Sequence, residues 1–306
     1  MLLGAIDIGS NAIRLQIVRV MGKQDDFHFK KAEYIRFPLR LGKDVFKEGK
    51  ITEATKRKFF NLMHSFKLLL DLYEVEDRMA VATSAMREAE NGNEIVTKVK
   101  EDLGLIIEII DGELEAEIIS RAIIPTIEDH QYVHIDVGGG STEINLYVER
   151  EKKKSKSFRI GTVRKITKKE QDRIFREMKE WIQSTGVFSD SLVYAIGTGG
   201  NIGKLNSLSN VKGKYTMSLT ELQALQAYIA AFDYEQRISE LKMNPDRADV
   251  ILPASNIYIR IMKIIGADQI FVPGVGLKDG VIYTLYNRKV NTESNRIRVL
   301  KEDHFN

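Results

Sequence analysis

The chain has 306 residues, 43% of them hydrophobic and 29% charged, which is ordinary for a soluble globular protein and enough to fill two cores. Its 46 basic and 43 acidic residues leave a net charge of +3, so overall charge does not mark a nucleic-acid binder, and any anion site has to rest on local clusters. The absence of cysteine excludes disulfides and thiolate metal centres, the five histidines lack zinc-enzyme spacing, and no run of about 18 apolar residues could span a membrane. Asp7 also arrives too early for a signal peptide, so a cytoplasmic protein is expected.

In chain order, the apolar run Leu2–Ile6 is followed by Asp7-Ile8-Gly9-Ser10-Asn11, and alternation resumes through Leu15, Ile17 and Val20. That pattern predicts a β-hairpin with a small polar tip. It returns at Val133–Ile135, Asp136-Val137-Gly138-Gly139-Gly140-Ser141-Thr142-Glu143 and Ile144–Val148. Two copies of one hairpin imply an internal duplication, one copy per domain.

Between the copies, Phe59, Leu62, Met63, Phe66, Leu69, Leu70 and Tyr73 recur at helical steps and predict a helix over 52–74 with Thr52 as N-cap. A strand at 79–83 leads into Ser84–Ala89, and a strand at 105–110 leads through Asp111-Gly112 into a helix ending near Ile124. Pro125 closes that helix, and the expected domains are 1–124 and 125–306. The second half predicts a strand at 192–196 entering Gly197–Asn201, and a helix from Ser218 with Glu221 completing a capping box. A buried helix over 249–265 stopped at Gly266, a strand at 269–272 and a last helix past Gly280 complete the α/β reading. The polar tail beyond about Asn291 either frays or packs back on the first domain.

Glycine lets backbone N–H groups converge on an anion with no Cβ in the way. Gly138, Gly139 and Gly140 followed by Ser141 and Thr142 therefore form a candidate phosphate nest, and Gly9, Ser10 and Asn11 a smaller one. Asp7, Asp136 and Glu143 beside such nests would repel an anion unless a cation intervened, which points to Mg²⁺ on carboxylate oxygens. Glu115 shares a helix face with Ile118, Ile119 and Ala122, so it is either a desolvated base for an attacking water or a helix-edge glutamate that reaches solvent. Arg14 and Arg87 either fork onto phosphate or form ion pairs. Residues 150–169 hold ten Lys/Arg against Glu151, which reads as a solvated face or a guide for a polyanion. Gly197–Asn201 could cradle a phosphate, although no GxGxxG or Walker pattern is present.

Taken together, Asp7–Leu15, Ala82–Ala89, Asp136–Glu143, Gly161–Arg164, Ile196–Gly200 and Gly276–Gly280 resemble the exopolyphosphatase/guanosine pentaphosphate phosphohydrolase (Ppx/GppA) family. The resemblance implies two ribonuclease H-like domains of the actin-like ATPase superfamily around an interdomain cleft. It also implies Mg²⁺-dependent hydrolysis of a terminal phosphate by water, with Glu115 as base. Phosphate contacts carry over to Gly9, Ser10, Asn11, Arg87, Gly138, Gly139, Gly140, Ser141 and Thr142, and metal-side acids to Asp136 and Glu143. Departures are Leu114 where the family pairs two acids, Ala12 after Ser-Asn, and Val275 where a polar residue is usual. Longer relatives continue into a helical domain that this chain does not reach.

The expected function is an exopolyphosphatase acting on inorganic polyphosphate, with guanosine pentaphosphate as the alternative substrate and a homodimer as one assembly to expect. A non-catalytic nucleotide-binding sensor or actin-like filament protein is the reading from another class; a sugar kinase is a weaker rival.

Overall fold

The computed structural model describes residues 1–23, 26–188, 192–209 and 215–302. Two mixed sheets, each flanked by helices, face one another across a cleft. In the first lobe, β1 (Leu2–Ile8), β2 (Ile13–Lys23) and β3 (Asp26–Phe37) form an antiparallel meander. Then follow α1 (Leu41–Glu48), α2 (Glu53–Leu72), β4 (Asp77–Ala82), α3 (Ser84–Glu88), α4 (Gly92–Leu103), β5 (Ile107–Ile109) and α5 (Gly112–Ile123). The sheet order is β3-β2-β1-β4-β5, with β4 parallel to both neighbours.

The second lobe repeats the scheme. It contains β6 (Gln131–Val137), β7 (Thr142–Val148), β8 (Glu151–Phe158), α6 (Lys168–Ser184), β9 (Val193–Thr198), α7 (Gly200–Leu208) and β10 (Thr216–Ser218). It continues with α8 (Leu219–Ala230), α9 (Tyr234–Ser239), α10 (Pro245–Ala248), α11 (Ile251–Ile265), β11 (Gln269–Phe271) and α12 (Leu277–Glu302). Its order, β8-β7-β6-β9-β11-β10, is that of the first sheet with one added antiparallel edge strand. An antiparallel triplet followed by parallel crossovers is the ribonuclease H-like topology, present twice.

Local chemistry explains the elements that were legible. Thr52 accepts the Thr55 N–H with its hydroxyl and caps α2, whose Phe59, Leu62, Met63, Phe66 and Leu70 are buried. Full burial of each such side chain is worth about 2–3 kcal/mol. Ser218 and Glu221 form the predicted capping box, and Gly266 ends α11 in the left-handed region. The helix expected over 249–265 forms as α11, with Val250 as its N-cap, and the short α10 lies upstream of it. The strand expected over 105–110 is ladder-paired only at Ile107–Ile109. The basic run begins as β8, an edge strand whose lysines stay in solvent, as suits an unpaired edge.

Beyond the second sheet, α12 returns to the first. Leu277, Val281, Ile282, Leu285 and Tyr286 form one cluster with Leu3, Ala5, Val18, Val81, Ile110 and Ile118. Gly280 permits this, because a Cβ there would stand 2.1 Å from the carbonyl oxygen of Ile118 on α5. Among the described residues, no helix is long and apolar enough to cross a membrane.

Candidate active site

Both predicted hairpin tips point into the cleft from opposite walls. A Cβ placed on Gly139 would lie 2.9 Å from the Ser10 Cβ and 3.5 Å from the Asn11 nitrogen, so the two loops meet. The turns are built alike: the Gly9 N–H donates to the Ala12 carbonyl at 3.2 Å, and the Gly138 N–H to the Ser141 carbonyl at 2.9 Å. Ser10 and Ser84 share a hydroxyl hydrogen bond of 2.8 Å, which fixes the first loop to the start of α3.

Strand ends deliver the acids. Asp7 closes β1 opposite Arg14, whose Nη1 donates to its carboxylate at 2.8 Å. Asp136 closes β6, with Glu143 opposite it on β7 and Thr198 opposite it on β9. Burial, offset by the Thr198 hydroxyl and reinforced by Asp7, pushes Asp136 up to about 6. Burial and then Asp136 push Glu143 up to about 7, although Glu143 accepts hydrogen bonds from Ser141 and Ser157.

Glu115 comes from the first turns of α5, where Asp111 caps the helix by accepting the N–H groups of Glu113 and Leu114. Its side chain is 15% exposed, and its Oε2 is buried with no hydrogen-bond partner. The solvent-reaching alternative is therefore not what the fold adopts. Burial first, then Glu143 and Asp136, hold its carboxyl well above the usual range, against the opposing pull of Arg87.

The cleft lining contains Asp7, Gly9, Ser10, Asn11, Arg14, Glu115, Asp136, Gly138, Gly139, Ser141 and Glu143. Arg87, Gly140 and Thr142 stand behind it. Arg87 donates to the Ile110 carbonyl and lies 4.0 Å from Glu115. Gly140 is covered by Phe46, and the Thr142 hydroxyl is taken by the Ile160 carbonyl at 2.7 Å. Gly197, Thr198, Gly199, Gly200 and Asn201 do line the cleft.

Sequence reasoning missed the cationic arm opposite the acids, where Arg36, Arg247 and Lys278 line the same space. Arg247 is pulled down to about 10, chiefly by burial and then by Arg36 and Arg14. Arg36 and Arg247 carry no motif, whereas Lys278 lies within the Gly276–Gly280 segment noted above. Arg36 lies on an alternating strand and Arg247 on a four-residue helix, so nothing in the linear pattern marks either.

A family model described as the Ppx/GppA phosphatase family matches residues 20–289. The chain belongs to that family. The Ppx/GppA match starts beyond the first glycine loop, so the placement of Asp7–Asn11 rests on geometry. Exopolyphosphatase 1 of Mycobacterium tuberculosis is 23% identical over 96% of this chain and 90% of that protein. A bifunctional 3-dehydroquinate synthase/phosphatase of Fusobacterium nucleatum is 27% identical over 88% of this chain but 44% of its own length. A guanosine-5'-triphosphate,3'-diphosphate pyrophosphatase of Vibrio cholerae is 23% identical over 98% of this chain and 62% of that protein. The chain thus spans under half of the Fusobacterium relative and under two thirds of the Vibrio one. Among solved structures, an exopolyphosphatase from Cytophaga hutchinsonii gives a TM-score of 0.82 at 25% identity over 94% of this chain and 98% of that one. An Aquifex aeolicus Ppx/GppA family member gives 0.75 at 26% identity over 94% and 98%.

In this Ppx/GppA chain the acids suit a hard divalent cation. Glu143, Asp136 and Asp7 add to burial in raising the proton affinity of Glu115, and one Glu115 oxygen accepts no hydrogen bond. Among the described residues no three His, Asp or Glu side chains are already gathered at ligand spacing. Mg²⁺ fits such a site, since it keeps several waters and needs only one or two carboxylates.

Proposed function

We propose that this chain removes the terminal phosphate of inorganic polyphosphate by attack of water. The observation that carries the reading is the Glu115 carboxyl group, desolvated and with one oxygen that accepts no hydrogen bond, in a cleft walled by two glycine phosphate loops. Water oxygen bonds to the terminal phosphorus as the bridging P–O bond breaks. The electron pair leaves with the shortened chain, and Glu115 accepts the water's proton. Loop N–H groups stabilise the charge on the transferring oxygens. Asp136 and Glu143, with Asp7 nearby, would hold Mg²⁺, which supplies positive charge beside the phosphates. A cation on those acids would also lessen the part of Glu115's raised proton affinity that comes from Glu143 and Asp136, burial being the larger cause, and so would favour its role as a base.

Arg247 supports the choice of an extended polyanion, because it adds positive charge to the cleft lining beside Arg36 and Lys278, which are paired with Asp246 and Asp279. The reading takes 1–124 and 125–306 as the two domains, with α12 crossing back. A guanosine pentaphosphate 5'-phosphohydrolase is the second reading, favoured by a relative as similar as the mycobacterial exopolyphosphatase. Phosphate release from tripolyphosphate, long polyphosphate and guanosine pentaphosphate, measured side by side, separates the two. Glu115→Gln is expected to keep substrate binding while hydrolysis falls by about two to four orders of magnitude. Turnover like that of the wild type in this variant would refute Glu115 as the base.

A further inference from the structure

We infer that the turn Gly161–Arg164 sets the amides of the second phosphate loop, and that Arg164 is its positioning residue, tethered across the cleft by Glu88. The inference rests on the reading of the cleft as a phosphate site and adds the device that shapes it.

Three consecutive loop carbonyls are held from behind. Gly138 O accepts from the Thr162 N–H at 3.1 Å, and Gly139 O from the Val163 and Arg164 N–H groups at 2.8 and 3.1 Å. Gly140 O accepts from the Arg164 Nε at 2.7 Å. In a trans peptide the N–H points opposite to the carbonyl. Fixing these carbonyls therefore aims the N–H groups of Gly139, Gly140 and Ser141 away from the turn. Among the described residues none of the three has a hydrogen-bond partner. Consecutive unsatisfied amides on one side of a loop form an anion nest. The turn fits closely: a Cβ on Gly161 would lie 2.5 Å from the Gly139 oxygen.

Arg164 belongs to the second lobe but is held by the first. Its guanidinium stacks on the Phe46 ring of α1 at 4.2 Å and pairs with Glu88 at the end of α3. The other Glu88 oxygen binds Arg159 at 2.7 Å. Closing the lobes thus completes the grip on the Gly140 carbonyl.

The first lobe repeats the device. The segment leaving its third strand holds the first loop, with Gly42 N–H on Ser10 O at 2.8 Å and Arg40 N–H on Asn11 O at 3.1 Å. The Arg40 side chain crosses to Asp249 of the second lobe. An ion pair that served only to glue the lobes together would not need to sit, in both copies, on the segment that orients a phosphate loop.

The test is calorimetric binding of tripolyphosphate with Mg²⁺ in the buffer, using Glu115→Gln protein so that no turnover occurs. Adding Arg164→Lys keeps a cation for Glu88 but removes the planar Nε donor. Affinity is expected to fall about tenfold, the scale of one hydrogen bond to a charged group, while the melting temperature stays within about 2 °C. Affinity within twofold of the parent overturns the inference. Glu88→Gln leaves every bond of the turn in place except the tether. If Arg164→Lys does not fold, a loss of at least threefold in Glu88→Gln upholds the inference and a loss under threefold overturns it. A Glu115→Gln parent that binds no tripolyphosphate, beside a wild type that releases no phosphate from it, ends the functional reading and this one together. A binding parent with unmoved variants overturns only the role of Arg164.

Discussion

Asp136 and Glu143 face each other across β6 and β7, and burial raises both, to about 6 and about 7. Each binds its proton more tightly folded than unfolded. The metal-free fold therefore keeps this part of its stability below the unfolded carboxylate range, near pH 4, and loses it as pH rises through 6 and 7. Added Mg²⁺ competes with those protons, so its stabilising effect runs the other way. Thermal melts at pH 5 and pH 8 should show metal-free protein melting lower at pH 8, and Mg²⁺ raising the midpoint more at pH 8 than at pH 5. An Mg²⁺ shift that is equal at both values would argue that these acids do not share a cation. Both residues were legible in the sequence as acids beside glycine turns. Arg36 and Arg247 were not, because a cation becomes a site residue only when folding sets it opposite acids distant in the chain.

At the scale of elements, turn and cap chemistry carried the reading furthest. Thr52, the Ser218–Glu221 box and Gly266 marked helix ends that the fold uses. Edge strands read poorly: β8 is lysine-rich and β3 carries charges along most of its length, since neither has two buried faces to impose an apolar pattern. A return of the chain's end to the first domain was among the expectations, but the approach of α12 to α5 was silent, as it depends on Gly280 meeting a backbone oxygen from a helix far away in sequence. Gly280→Ala should push α12 off α5 and cost about 1–3 kcal/mol, as overpacking does. Denaturant unfolding measures it; a stability unchanged from the wild type would show that α12 can shift without loss.

Across the whole molecule, the lobes are tied by charge at both rims. Asp246, 5% exposed at its side chain, accepts from Arg36 of β3 and from Asn11 of the first loop. Asp246→Ala leaves Arg36 buried without its partner, which should destabilise the closed form by about 3 kcal/mol. The expected readout is a larger radius of gyration by X-ray scattering together with weaker tripolyphosphate binding. An unchanged radius would place closure elsewhere, on the Glu88 and Arg40 ties.

What the sequence determined by itself was the duplicated hairpin, its glycine tips, the acids at the strand ends and the one glutamate on an apolar helix face. These are local: turn conformation, strand alternation and helical spacing are set by neighbours within a few residues. The meeting of Ser10 with Gly139, the cationic arm and the bracing of each loop by the other lobe were decided only by tertiary structure. They depend on charges and backbone groups brought together across about 75 to 240 residues of chain, and no periodicity records such pairs.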